Sequence, residues 1–444
     1  MKIENRMASL ASAGGFLDGY SIVMLAASIG LISTYFGIVS AAIKGVLIGF
    51  VFLGGFFGAI LSGPLVDRYG RRIIFLTDLI FFVGGALVSA FSINLTQMFI
   101  GRFMTGYAIG MDLAVGNVLV SEFSPIRKRG LLLTLSGPTV PWSVGAAGSY
   151  FVTIALLPFA PLTWRYVFLI SIVPAIIVLV LRRNIPESPR WLGSKNRLSD
   201  ANKIISEFKV ADISSEELNI IASKGNGKYK NLFKKPFGKF TVGVMTLKAL
   251  VLFVLIPINF FTPIILAQIG FTKSEALSLT GGAVVWLFQM AGYLLAAFTI
   301  DRVGRRRLAA GGVVTFLVVY AILSFVHVPV SSTAALWFGL SFVIGVVNSS
   351  AWIWCSEFFP TSLRGSAMGL NSSVDRMIGF LGSYITSFLL VFGVTVVYKV
   401  SLVVSIVILV VIMTLISAET SNRSLEDIAE KRESGITNAE VENL

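Results

Sequence analysis

Six ionisable side chains stand inside long apolar stretches of this 444-residue chain: the acids Asp18, Asp112 and Asp375, and the bases Arg102, Lys248 and Arg376. A charge at the centre of a bilayer costs at least about 2.5–3.5 kcal/mol, and such groups usually line a pathway. A desolvated carboxyl can bind and release a proton near the working pH, which makes Asp18 and Asp112 candidates for proton coupling. A guanidinium matches a carboxylate or phosphate with two parallel hydrogen bonds, which makes Arg376 a candidate anion contact. The bland alternative is a salt bridge, with Asp375 or between helices, that only orders the bundle. Asp18 and Asp112 each lie 8 residues from the inner end of their apolar run, about 12 Å deep at about 1.5 Å per residue. Lys248, Gln289, Asp375 and Arg376, at 8 to 11 residues, fall at similar depth, and Lys248 has a second reading as a chain snorkelling to the inner interface. Arg102, 18 residues in, is about 27 Å deep by the same rise, which strains a direct pair with Asp18. Asp78 lies near an inner end and is assigned to the inner-face charges.

The elements that position these groups are legible as apolar runs. Of all residues 55% are hydrophobic and 13% charged, with mean hydropathy +0.84, where a soluble domain carries about 25% charged residues. Runs of about 20 residues, each enough to cross a bilayer as a helix, fall near 10–36, 42–66, 73–93, 95–120, 131–157 and 164–183. They resume near 240–268, 275–300, 308–328, 334–357, 366–391 and 397–417. The expectation is an all-α, multi-pass membrane protein with twelve transmembrane helices. The first run has no small-residue cleavage site and is read as a retained span. Only Lys44, Arg165, Lys273 and Lys399 fall on one side; outside the spans, the other basic residues fall on the opposite side. The excess of bases makes that side cytoplasmic, with both termini there. The net charge of +13 is thereby explained by topology, not by nucleic acid. One cysteine, Cys355, and one histidine, His327, exclude an internal disulfide and a His/Cys metal cluster.

Two motifs repeat. Asp67-Arg68-Tyr69-Gly70-Arg71-Arg72 recurs 234 residues later as Asp301-Arg302-Val303-Gly304-Arg305-Arg306. Ser121-Glu122-Phe123-Ser124-Pro125, closing with Arg129-Gly130, recurs 235 residues later as Ser356-Glu357-Phe358-Phe359-Pro360, closing with Arg364-Gly365. A shared offset divides the chain into a six-helix bundle at 1–183, a polar cytoplasmic connection at 184–239, a second bundle at 240–417 and a tail at 418–444. Within the connection, 200–209 and 214–221 are candidate amphipathic helices, and Ser424 is a candidate helix cap in the tail. Parallel repeats of this kind build transporters around a central site.

These motifs resemble the major facilitator superfamily, in its sugar-and-other-solute branch. The resemblance rests on the repeats above, on Gly101-Arg102 with Gly106 and Gly110, on Pro186-Glu187-Ser188-Pro189-Arg190, and on a degraded Glu419-Thr420-Ser421-Asn422-Arg423 after the last span. It implies a cytoplasmic charge belt acting as a gate, formed by Asp67, Arg71, Arg72, Glu122, Arg129, Glu187, Arg190, Asp301, Arg305, Arg306, Glu357, Arg364, Glu419 and Arg423. A topological role for the arginines is the plainer alternative. The glycines 54, 55, 58, 101, 106 and 110 are expected to let helices pack closely.

Against the sugar-porter pattern, Gly137 stands for a fifth-span glutamine, and Leu250, Val251 and Ile256 stand for seventh-span amides. Asp375-Arg376 replaces a Gln-Trp pair. Ser21 holds the place of the usual first-span acid, and Asp18-Gly19-Tyr20 looks more like transporters of aromatic acids. Gly110-Met111-Asp112 resembles phosphate and organic-acid porters. The expected solute contacts are Arg376, Trp352, Gln289, Asp375, Lys248, Phe260, Phe261 and Arg102. The expected function is proton-coupled secondary transport of a small organic anion; a sugar or polyol porter and a transporter-like sensor are the alternatives. No HExxH, GxSxG or GxxxxGK[ST] motif is present, so neither an enzyme nor an ATP-driven pump is expected, and no cofactor. The expected partners are a small solute, protons and lipid, with the chain working as a monomer in the cell membrane.

Overall fold

The computed structural model describes residues 3–123, 139–208, 210, 232–234, 237–271, 274–357 and 361–415. Side chains at 63, 67, 114, 117, 118, 121, 301, 353, 355–357 and 361–366 are outside that description. The chain divides into two compact units, Met1–Gly225 and Asn226–Leu444. The first holds α1 (Ile3–Phe36), α2 (Ala41–Tyr69), α3 (Arg71–Ala90), α4 (Leu95–Phe123), α5 (Val140–Leu156), α6 (Thr163–Arg182), and the short α7 (Pro189–Ser194) and α8 (Leu198–Phe208). The second holds α9 (Gly238–Gln268), α10 (Glu275–Val303), α11 (Arg305–Phe325), α12 (Val330–Glu357), α13 (Thr361–Leu389) and α14 (Val394–Thr414).

Among the described residues, eleven helices are long and apolar enough to cross a membrane. α4 equals them in length, but Arg102, Asp112 and Glu122 make it more polar. Apolar side chains such as Ile80, Val173, Phe298 and Val403 remain more than half exposed, as expected of faces turned to lipid. Proline is tolerated inside α2, α6 and α9, at Pro64, Pro174, Pro257 and Pro263, because neighbouring helices can satisfy freed backbone groups.

Both units use one packing plan. In the first, α4 packs on α2 and α3, α1 on α5 and α6, and α3 on α6; in the second, α12 packs on α10 and α11, α9 on α13 and α14, and α11 on α14. The repeat reaches single contacts. A β-carbon at Gly58 would strike the Tyr107 carbonyl and one at Gly110 the Gly55 carbonyl; Gly292 stands in the same way against Phe342, and Gly345 against Gln289. The expected close-packing glycines of α2 and α4 thus touch backbone directly. The repeated turns share a conformation only glycine adopts easily: Gly70 has φ 98° and Gly304 has φ 95°, each ending one helix and starting the next.

The structure departs from the sequence reading at the ends. α1 begins at Ile3, not near residue 10, because Ile3, Met7 and Leu10 bury one face against the core of the first unit. The expected helix at 200–209 is α8. It lays Ala201, Ile204 and Ile205 on Trp191 and Leu192, so it docks on its own unit. Ser188 caps α7, its Oγ accepting from Trp191 N at 3.2 Å. The segments 214–221 and 418–444 lie outside the described residues.

Candidate functional site

In the second unit, α9, α10, α12 and α13 bring one polar chain together. Lys248 Nζ lies 3.6 Å from Asp375 Oδ2 and donates to Asn348 Oδ1 at 2.7 Å. Asn348 Nδ2 donates to the Tyr293 hydroxyl at 2.8 Å, and Gln289 Nε2 donates to that same hydroxyl at 3.0 Å. The i, i+4 spacing of Gln289 and Tyr293 places both on one face of α10. Lys248 is 2% exposed and stands 5.3 Å over the half-buried Trp352 ring, a cation–π arrangement. That corrects its reading as a snorkelling side chain. Arg376 is buried beside Asp375, whose charge it offsets. Phe260 meets Trp286 edge-on at 6.1 Å, and Phe261 is fully buried.

Gln289 Oε1, Asn259 Oδ1 and Trp286 Nε1 are buried without a hydrogen-bond partner among the described residues. Buried polar atoms are normally satisfied, and these three keep hydrogen-bonding capacity that a bound molecule's polar groups can use. Asn259, Asn348, Tyr293 and Trp286 were missing from the sequence reading. Leu250, Val251 and Ile256 stand without amides as read from the sequence, but Asn259 supplies one a turn after Ile256.

In the first unit, Asp112 is joined to Arg182, Nη1 to Oδ1 at 2.7 Å. The same nitrogen lies 3.0 Å from Asp78 Oδ2. Arg182 also donates to the carbonyls of Phe75 at 3.2 Å and Leu10 at 3.3 Å, and the charge of Asp18 acts on it. Asp78 therefore belongs to a buried cluster and not to the inner-face charges, because α3 turns it inward toward α6. Arg182 was missed altogether. It ends an apolar run beside Arg183, where an arginine reads as a topology signal. Arg102 is fully buried with its guanidinium 5.7 Å from the Phe168 ring centroid. Its three nitrogens have no hydrogen-bond partner among the described residues.

The inner-face motifs are partly described. Arg71 Nη2 stands 3.8 Å from Glu122 Oε1. Glu187 accepts from the backbone N–H of Arg71 at 2.9 Å and of Arg72 at 3.2 Å, so it caps the start of α3 instead of meeting guanidinium ends. Burial raises the Glu187 carboxyl above its ordinary range, against the pull of the Ser188, Arg72 and Arg71 amides and the Arg71 charge. Arg72 donates to the Arg183 carbonyl at 2.8 Å, and Arg306 to Met413 Sδ at 3.7 Å. Arg305 is buried, and Arg190 is half-buried beside the α7 cap. The side chains of Asp67, Asp301, Glu357 and Arg364, and all of Arg129, Glu419 and Arg423, lie outside the description.

Membrane-crossing helices in two like-folded units, each with a buried charged cluster, define a membrane transport protein of the major facilitator type. Residues 7–431 match the family described as Sugar (and other) transporter, and the chain belongs to that family. It is 28% identical over 436 residues to the arabinose-proton symporter of Bacillus subtilis, covering 94% of this chain and 92% of that protein. To the niacin transporter NiaP of Acinetobacter baylyi it is 27% identical over 360 residues, covering 78% of this chain and 79% of the relative. Its fold matches the xylose transporter XylE of E. coli with a TM-score of 0.80 at 19% identity, over 95% of this chain and 99% of that one.

Proposed function

We propose that this chain is a proton-coupled secondary transporter of a small polyhydroxylated solute, a sugar or polyol, working in the cell membrane by alternating access with both termini cytoplasmic. The carrying observation is the largely buried polar chain Asp375–Lys248–Asn348–Tyr293–Gln289, in a unit that also buries Gln289 Oε1, Asn259 Oδ1 and Trp286 Nε1 without a hydrogen-bond partner among the described residues. Neutral amides and an indole N–H pair with hydroxyl groups, which both donate and accept. Trp352 and Phe260 offer apolar faces to a sugar ring. The arabinose-proton symporter relative supports both the solute class and the proton. This reading takes precedence over the organic anion expected from the sequence, since the arabinose-proton symporter relative matches this chain over 94% of its length and Asp375 offsets one of the two cations beside it.

A carboxylate solute is the second reading. Two buried cations, Lys248 and Arg376, face one acid, Asp375, and the niacin transporter is a relative. Proton coupling is assigned to Asp18 and Asp112, and the inner-face pair Arg71–Glu122 with Glu187 to the gate.

Uptake by the purified chain in proteoliposomes tests the solute class, using labelled L-arabinose, D-xylose, myo-inositol and nicotinate. Saturable uptake of a hydroxylated solute, competed by the others of its class and not by nicotinate, is the expected result. Uptake of nicotinate alone would replace this reading with the carboxylate one.

A further inference from the structure

The first unit sets part of its positive charge apart from its acids. Between Asp18 and Asp67, between Asp78 and Asp112, and between Glu122 and Glu187 the chain has neither Asp nor Glu. At one end of the unit α1 and α3 finish, at Phe36 and Ala90, and α2, α4 and α6 begin, at Ala41, Leu95 and Thr163. That end therefore holds Lys44, Arg102 and Arg165 without a carboxylate. Lys44 is half-buried. Arg165 is served by the Ala90 and Ser92 carbonyls at 2.9 and 3.0 Å and lies 4.6 Å over the Trp164 ring. Arg102 is fully buried, and its three nitrogens have neither a hydrogen bond nor an ion pair among the described residues. The buried acids are engaged elsewhere: Arg182 Nη1 holds Asp112 at 2.7 Å and Asp78 at 3.0 Å, and Asp18 acts on the same guanidinium. A guanidinium keeps its proton in a protein, and an unpaired buried ion is strongly unfavourable. Arg102 calls for a negative partner.

Helix register places two hydroxyls level with it. α1 and α4 run antiparallel: a β-carbon at Gly116 would come within 3.9 Å of Ala11, and one at Gly14 would strike the Asp112 carboxylate. Carried along both helices, the same register sets Arg102 opposite Leu25, between Ser21 and Ser28. Arg102 lies on the stripe of α4 that reaches Gly116 through Ile109. Ser21 and Ser28 lie on the stripe of α1 that starts at Gly14, at steps of about two turns. Both serines are fully buried, and neither Oγ has a hydrogen-bond partner among the described residues. Asp18 stands about 10 Å from Leu25 along α1, at about 1.5 Å per residue. The Phe168 ring lies 5.7 Å from the guanidinium carbon and covers its flat face, which leaves the N–H edge for a partner. A serine hydroxyl can turn its hydrogen toward an acceptor, so the guanidinium and the two serines offer donors only. We propose that Arg102, Ser21 and Ser28 bind a small monovalent inorganic anion, chloride, between α1 and α4. The ion supplies the negative charge missing from this end of the unit and ties the two helices together. Its binding requires neither the solute nor the proton assigned above.

The test measures the ion directly, without solute. The purified full-length chain, exchanged into gluconate, is titrated with labelled chloride at constant ionic strength, and its thermal unfolding is recorded in each salt. The wild type should bind chloride saturably, one ion per chain, and should unfold at a higher temperature in chloride than in gluconate. Arg102→Gln should lose both effects. Ser21→Ala and Ser28→Ala, which keep the test open if Arg102→Gln fails to fold, should each weaken binding by about tenfold or more, through loss of a hydrogen bond to an ion. Ser21→Asp puts a carboxylate beside the guanidinium. It should abolish chloride binding and give, in gluconate, the stability that the wild type shows in chloride. Bromide should displace the labelled chloride. Absence of saturable binding, or binding equal in the wild type and every variant, overturns the site. Displacement of chloride by nicotinate at the same concentration as bromide would make Arg102 a contact for a carboxylate solute, and overturns it too.

Discussion

The Tyr293 hydroxyl accepts from two amides at once, the buried Gln289 and the half-buried Asn348, and that makes it the joint of the second unit's polar chain. Tyr293→Phe removes one oxygen and strands two donors. Leaving a buried donor unsatisfied costs about 1–3 kcal/mol, so thermal unfolding should show a loss of that order. An unchanged midpoint would mean that the amides are satisfied elsewhere. Glu187 supports a second expectation, of pH dependence. Burial raises its carboxyl, so the docked segment holds the proton more tightly than the undocked one. The carboxyl's contribution to docking is fully present below the ordinary carboxylate range and is lost as pH rises through the raised, docked-state value. Hydrogen exchange around Trp191 should therefore quicken over that rise, and Glu187→Gln should flatten the dependence; protection that grows with pH would contradict the assignment. What was legible at this scale was any charge set in an apolar run, which is how Asp18, Asp112, Lys248 and Asp375 announce themselves. Arg182 did not, because its chemical signal equals that of a topology arginine. Asn348 and Tyr293 are neutral, and only their helical spacing to Trp352 and Gln289 pointed to a shared face.

At the scale of elements, the helix ends and the glycine contacts carry the account. Apolar runs of about 20 residues identify the spans well, because the bilayer sets their length. They fail where a helix continues outside it, as α1 does through Glu4, Asn5 and Arg6 to Ile3. Side-chain burial decides such ends, and hydropathy does not see it. Contact also decides which glycines matter. Gly292 abuts the Phe342 backbone, whereas a β-carbon at Gly339 on α12 would meet nothing within 4 Å. Gly292→Ala should destabilise by about 1–3 kcal/mol through overpacking. Gly339→Ala should be neutral or stabilising, since alanine is the better helix former by about 1 kcal/mol. Thermal unfolding of the two single variants compares them directly, and equal effects would show that the α10–α12 approach is not backbone-limited.

At the scale of the molecule, the 234-residue offset in sequence reappears as one packing plan used twice, yet the two units hold opposite chemistry. The first gathers Asp18, Asp78 and Asp112 around Arg182. The second gathers amides, Tyr293 and Trp352 around Lys248 and Asp375. The proposed function places protons in the first unit and solute in the second, and coupled transport requires both to move in one cycle. The most direct measurement is proton movement driven by solute alone. Proteoliposomes containing the purified chain and an internal pH dye, without an imposed pH gradient, receive external L-arabinose, D-xylose or myo-inositol. The account predicts internal acidification on adding a transported solute, abolished in Asp112→Asn while exchange of labelled for unlabelled solute persists. Solute uptake with no change in internal pH would contradict it.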